Sequence, residues 1–181
     1  MEVDKGMTLD EAYRNTVDGL RELGWKDLAL DSKRKGINAR FEGENDIWEL
    51  LIHFHEEGNY RISSRSTWKV QNNTSDLVQH LVEKINHGNH KHDFRMNDNG
   101  SFEVKTSVNI LEKYHFFEKM KKVMIRNIRA YESYASMLKR FVNITPEYLD
   151  METEGFRALI SSKNPPSAIQ DEELIRLNLQ K

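Results

Sequence analysis

The sequence predicts an α+β fold in which an antiparallel sheet, made of a three-stranded meander plus a hairpin, packs on helices in the order α-βββ-α-ββ-α with a helical C-terminal extension. Three observations carry this expectation. Apolar residues alternate with polar ones along five runs between Ile37 and Val108, the period of half-buried strands. Short Asn, Asp and Gly turns join the runs within each group, which pairs neighbours antiparallel and leaves one face wet. Before, between and after these groups the apolar period lengthens to that of a helix.

Thr8-Leu9-Asp10-Glu11 has the spacing of a capping box, and Leu9, Tyr13, Val17 and Leu20 then recur at helical intervals. Gly24 suits the left-handed residue beyond that helix. From Gly36 the period becomes two: Ile37, Ala39 and Phe41 face one way, Asn38, Arg40 and Glu42 the other. Glu44-Asn45-Asp46 turns the chain into a second strand whose Trp48, Leu50, Ile52 and Phe54 share a face. Gly58-Asn59 starts a third, with Tyr60, Ile62, Ser64, Ser66 and Trp68 alternating against Arg61, Ser63, Arg65 and Lys69. After a polar loop from Gln71 to Ser75, a second amphipathic helix carries Leu77, Val78, Leu81, Val82 and Ile85. A hairpin follows, with Phe94 and Met96 in its first strand, a turn at Asn97-Asp98-Asn99-Gly100, and Phe102, Val104, Thr106 and Val108 in its second.

A long helix, roughly Tyr114 to Val142, contains no Gly or Pro. Phe117, Met120, Met124, Ile128, Tyr131, Ala135, Leu138 and Val142 run down one stripe, flanked by Phe116, Val123, Ala130, Tyr134, Met137 and Phe141. The apolar arc spans about 160°, wider than the roughly 100° that covers one sheet. Something besides the sheet is therefore expected against it. Thr145-Pro146-Glu147 is a helix start, Pro165-Pro166 breaks the chain, and Ser167 to Leu179 is expected to form a last short helix. The reading divides the chain into an α+β domain, 1–142, and a helical extension, 143–181, which either covers the excess arc, as a second copy of the chain would, or docks elsewhere.

Composition narrows the function. With 27 basic against 29 acidic residues and a net charge of −2, the 181-residue chain offers nucleic acid no bulk attraction, though a local basic face stays open. The absence of cysteine rules out disulfides, a thiol nucleophile and thiolate metal sites. There is no stretch of about 18 apolar residues to span a bilayer and no signal-peptide pattern, so a soluble cytoplasmic protein is expected. Gly-x-Ser-x-Gly, the phosphate loop, Gly-x-Gly-x-x-Gly and His-Glu-x-x-His are all missing, and no enzyme chemistry and no cofactor are expected.

Residues 85 to 92, INHGNHKH, place His87, His90 and His92 within six positions. Three imidazoles and a water would satisfy zinc. A short loop supplies no ordered support for such ligands, and the favoured reading is a helix exit followed by a partly buried His92 at the mouth of a strand, with no metal. His53 and His55 share one strand face with Glu49, the pattern of a solvated sheet surface.

Two basic surfaces remain as candidate partner-binding sites. Lys119, Lys122, Arg126, Arg129 and Arg140 form a stripe on the back of the long helix. Such a stripe could grip phosphates, and nucleic-acid binding is the alternative function. Arg61, Arg65, Lys69, Arg95 and Lys105 make a second surface on the strands, tempered by Glu49, Asp93 and Glu103, a mixture that suits a polypeptide at least as well. The residues singled out for partner binding are Arg61, Arg65, Lys69, Lys119, Lys122, Arg126 and Arg129.

The element order, the segment LVEKINHGN from Leu81 to Asn89, the turn Phe94 to Gly100 and the aromatic-rich final helix together resemble the YbjN-type domains, whose fold is similar to that of type III secretion chaperones. The resemblance covers roughly Thr8 to Val142, with a helix ending in an Ile-Asn pair, an Asn three further on, and an Asp-Gly hairpin that is one residue longer here. The tail beyond Val142 departs from the compact domain. The resemblance implies a non-enzymatic binding module, often dimeric, that holds protein segments or acts as a regulator. It carries no catalytic residues over.

Overall fold

The capping box forms as its spacing requires: the Thr8 hydroxyl accepts from the Glu11 amide, and the Glu11 carboxylate accepts from the Thr8 amide at 2.9 Å. The computed structural model describes residues 6–43, 46–55, 58–87, 91–109, 115–144 and 146–161. Within them the chain forms α1 (Leu9–Glu22), β1 (Leu28–Asp31), β2 (Gly36–Glu42), β3 (Ile47–His55), β4 (Asn59–Ser66), α2 (Asn72–His87), β5 (Asp93–Met96), β6 (Phe102–Asn109), α3 (Phe116–Lys139) and, after a 3₁₀ turn at Arg140–Asn143, α4 (Pro146–Ser161). The strands make one six-stranded sheet in the order β1-β2-β3-β4-β6-β5, every neighbour antiparallel.

This is the predicted α+β architecture with its element order, and two details differ. An additional strand, β1, pairs with β2 at the sheet's edge; Ala29, Leu30 and Asp31 are all exposed, so no alternation marked it. Helix α2 begins at Asn72, inside the stretch read as loop, because tertiary contacts fix its polar first turn. Thr74 is buried there, and its hydroxyl donates to the carbonyls of Gln71 and Phe141, each at 3.3 Å. The expected helix at 167–179 and residues 44–45 of the first hairpin turn lie outside the described residues.

One face of the sheet is the core face. Ile37, Ala39, Phe41, Trp48, Leu50, Ile52, Phe54, Tyr60, Ile62, Phe94, Phe102 and Val104 are all buried on it. The described helices lie against this side only. Tyr13 of α1 meets Phe54 edge-on, Tyr131 of α3 stacks on Trp48, and Tyr134 of α3 meets Phe94 edge-on. The excess apolar arc of α3 is covered from two directions. A Cβ on Gly19 of α1 would lie 2.6 Å from the Phe117 ring, so the two helices touch there. At the other end, Phe156 of α4 is fully buried against Tyr134 and Phe141, and Arg140 reaches Glu152 at 3.3 Å.

Two polar nodes are sealed into this packing. Asn127 of α3, fully buried, donates to the carbonyls of Ile62 and Val104 and to the Thr106 hydroxyl, and accepts from Ser64 at 2.7 Å. One amide thereby ties the helix to both β4 and β6 with its hydrogen-bonding groups satisfied. At the opposite end Asp46 accepts from the Trp68 indole at 2.7 Å, the Tyr131 hydroxyl at 3.1 Å and the Lys139 ammonium at 2.9 Å. Burial, and then the Asp46 carboxylate, push the Tyr131 hydroxyl far above its ordinary value, so it stays a donor at any working pH.

Candidate functional site

The other face of the sheet carries no described helix. Register brings its side chains into rows across the strands, and one row is Arg40, Glu49, Arg65, Glu103, Arg95, alternating in charge over β2, β3, β4, β6 and β5. Directly opposite side chains in an antiparallel pair are close enough to interact, and opposite charges there stabilise modestly. Beside it runs a row of Ala29, Asn38, Leu51, Ser63, Lys105 and Asp93, which reaches all six strands. Among the described residues Glu103 is the one deeply buried acid, 2% exposed, held between Arg65 at 3.3 Å and Lys105 at 3.2 Å. Burial pushes its carboxyl up, but Arg65 and Lys105 outweigh that and hold it below the usual glutamate range. Asp93 and Arg95 pair along β5 at 2.6 Å.

Two hollows flank these rows. One, of about 380 Å³, opens at the β4-β6-β5 side and is lined by Arg61, Lys91, His92, Asp93, Arg95, Lys105 and Ser107. The other, of about 350 Å³, lies at the β1 edge and is walled by Ala29, Leu30, Ile37, Leu51 and Ile52 with Asp31, Arg34, Asn38 and His53 at its rim. Leu30, opposite core-facing Ile37 in the register, is one of the few large apolar side chains left exposed among the described residues, at 41%.

The two sheet edges differ. Along β5 the outward-pointing backbone of Phe94 is occupied by Asn86 at the end of α2: the side-chain amide donates to the Phe94 carbonyl at 2.8 Å and accepts from the Phe94 amide at 2.9 Å. Asn86 thus acts as a one-residue mock strand. No described residue hydrogen-bonds the outer side of β1 in this way.

The histidine run resolves in part. His92 sits half-buried at the start of β5, as the alternation predicted, with Nδ1 2.8 Å from Thr106 Oγ1. Burial first, then Lys91 and Arg126, hold its imidazole below the ordinary histidine value. His87 is exposed at the end of α2, and His90 lies outside the described residues. Among the described residues no group of three His, Cys, Asp or Glu side chains could hold a metal ion. His53 and His55 face outward on β3 with rings 4.6 Å apart, and His53 Nε2 lies 2.9 Å from the Arg34 carbonyl oxygen.

The seven candidate partner-binding residues fall into three groups. Arg61 and Arg65 share the uncovered sheet face. Lys119, Lys122 and Arg126 are exposed, and Arg129 half-buried, on α3, whose opposite side packs on the core face. Lys69 lies past the end of β4, its Cβ 3.6 Å from where a side chain on Gly100 would start. At the start of β5, His92 feels both Lys91 of the sheet-face hollow and Arg126 of α3. Sequence reading passed over Lys91, Ser107 and Asn86 as site residues. Lys91 and Ser107 join Arg61 only because β6, not β5, lies next to β4.

The architecture is thus of the two-layer α+β class, one sheet with helices on a single face. No family model matches the sequence, and neither does any curated protein. Among solved structures, the chain is similar to one from the HopA1-SchA chaperone-effector complex, at 12% identity and a TM-score of 0.49, covering 69% of this chain and 94% of that one. It is also similar to YbjN from E. coli, at 12% identity and a TM-score of 0.44, covering 64% of this chain and 84% of that one. At these scores the likeness is one of chain path alone. Among the described residues no helix is long and apolar enough to cross a membrane.

Proposed function

We propose that this chain is a non-enzymatic, cytoplasmic protein-binding module, chaperone-like or regulatory in role, that receives an extended polypeptide segment on the open face and β1 edge of its sheet. The observation that carries the reading is the one-sidedness of the fold. Among the described helices α1 and α3 are spent on the core face, α2 on the β5 edge and α4 on the other helices, which leaves a broad surface of cross-strand rows, two hollows and one unpaired edge. An added strand would gain backbone hydrogen bonds along β1, and its open-face side chains would find the apolar floor that Ala29 and Leu51 give the hollow. The alternating charges of the central row supply orientation rather than bulk affinity.

Selection from a displayed random-peptide library, followed by mapping of the binders on the amides of the labelled protein, tests the reading. Perturbations at Ala29, Leu51, Ser63 or Lys105 are expected. Selection of no binder above background, or perturbations confined to the helical layer, would remove it.

A second reading, nucleic-acid binding, is favoured by a separate observation: Lys122 and Arg126 are exposed on α3 with no ion-pair partner among the described residues. It requires an affinity that falls steeply with salt and drops in a Lys122→Glu, Arg126→Glu variant. No shift of single- or double-stranded oligonucleotides at low salt would end it.

A further inference from the structure

Among the described residues, the hollow at the β4-β6-β5 side of the open face is lined by four cations and one acid. Arg61, Lys91, Arg95 and Lys105 line it, with Arg65 adjoining, against the carboxylates of Asp93 and Glu103. Those two acids are already engaged, Asp93 by Arg95 and Glu103 by Arg65 and Lys105. Arg61 has no acidic partner among the described residues, and it stands at the centre of the surface with Ser107 opposite it on β6.

We propose that this hollow binds an acidic segment of a partner protein, lying along the open face with two carboxylates spaced as alternate residues of a strand. The proposal rests on the peptide-binding reading above and names the partner's chemistry. The geometry favours this ligand over two others. The cations are spread over β4, β6 and β5, two strand spacings or about 10 Å, and alternate residues of a strand place like-facing side chains about 7 Å apart. A single phosphate would need donors converging on one point, and among the described residues neither a helix N-terminus nor a glycine-rich turn lines the hollow. A polynucleotide would bring an unbroken line of negative charge over Asp93 and Glu103, which a peptide can step across with its intervening neutral residues.

The Lys105 and Arg65 ammonium and guanidinium groups hold the buried Glu103, so changing them would disturb the fold. Arg61 and Lys91 are exposed and serve as the test positions. The labelled full chain is titrated with a peptide of about ten residues alternating Thr and Glu, with its Thr-Gln counterpart, with inorganic phosphate, and with a single-stranded oligonucleotide. The Thr-Glu peptide is expected to shift the amides of Arg61, Lys105 and Ser107. The Thr-Gln peptide, and the Thr-Glu peptide on an Arg61→Glu, Lys91→Glu variant whose remaining amide spectrum is unchanged, are each expected to bind at least about tenfold more weakly. Equal binding of the two peptides, an undiminished affinity in the variant, shifts lying elsewhere or absent, or saturation of the same amides by phosphate or oligonucleotide at lower concentration would each overturn the acidic-segment assignment. Equal binding of both peptides on the sheet would leave the peptide-binding reading standing, whereas failure of the library selection removes that reading by itself.

Discussion

At the scale of single residues, the fold leans on polar groups that a hydropathy pattern passes over. Asn127 lies three residues after Met124 and four before Tyr131, inside the apolar arc, and Ser64 and Thr106 occupy core-facing positions of their strands. These polar residues at buried parity were the available signal that they meet. Replacing Asn127 with Leu leaves the Ser64 hydroxyl and the strand carbonyls without their partner, and we expect a loss of about 2–4 kcal/mol in urea unfolding. Glu103 read in the sequence as a charge tempering a basic surface, but the structure buries it. With its folded-state value held below the unfolded one, the unfolded chain takes up the proton first as pH falls. The stabilisation is therefore complete above the ordinary glutamate value of about 4.3 and is lost as pH drops through the lower folded value. Urea midpoints measured at about pH 5 and about pH 3 should fall less in Glu103→Gln than in the parent chain. An equal fall in both would show that other carboxylates carry the acid sensitivity.

At the scale of elements, alternation was enough to find five strands, and turn chemistry was enough to join them within their groups. It failed for β1, where a four-residue edge strand buries too little to show a period. It could not give the rows of the open face either. Those depend on β4 pairing with β6 across an intervening helix and strand, a long-range choice made by packing rather than by local pattern. The Ile-Asn ending of α2 was legible as a motif, and the structure supplies its reason in the clasp of Asn86 on Phe94. Asn86→Ala should cost about 1–2 kcal/mol. The decisive readout is hydrogen exchange, in which the Phe94 amide should lose protection while the Val104 amide on β6 keeps it. The turn at Asn97–Gly100 has a comparable dependence: Gly100 has φ +80°, and a Cβ there would lie 2.5 Å from the Val70 carbonyl oxygen. Gly100→Ala is expected to destabilise by about 1–3 kcal/mol, because strain and a backbone clash coincide.

At the scale of the whole molecule, the wide apolar arc of the long helix correctly announced that the sheet alone could not cover it. What supplies the cover was left between the tail and a second copy, because periodicity measures how much surface must be hidden and not by what. Phe156 now marks a contact that can be measured. Phe156→Ala should cost about 3–5 kcal/mol, as for other fully buried aromatics. A loss below about 1 kcal/mol would instead make the segment from Asn143 onward an appendage to an α+β domain that folds without it. The candidate site was half legible: Arg61, Arg95 and Lys105 were named from the strands, but Lys91 was passed over and their assembly into a hollow waited on the register. The clasp of Asn86 has one more consequence, which concerns growth. Fibres built by sheets joining side to side need two receptive flanks on every unit, and here one flank is already stoppered from within. Joining between copies through β1 against β1 terminates at a pair.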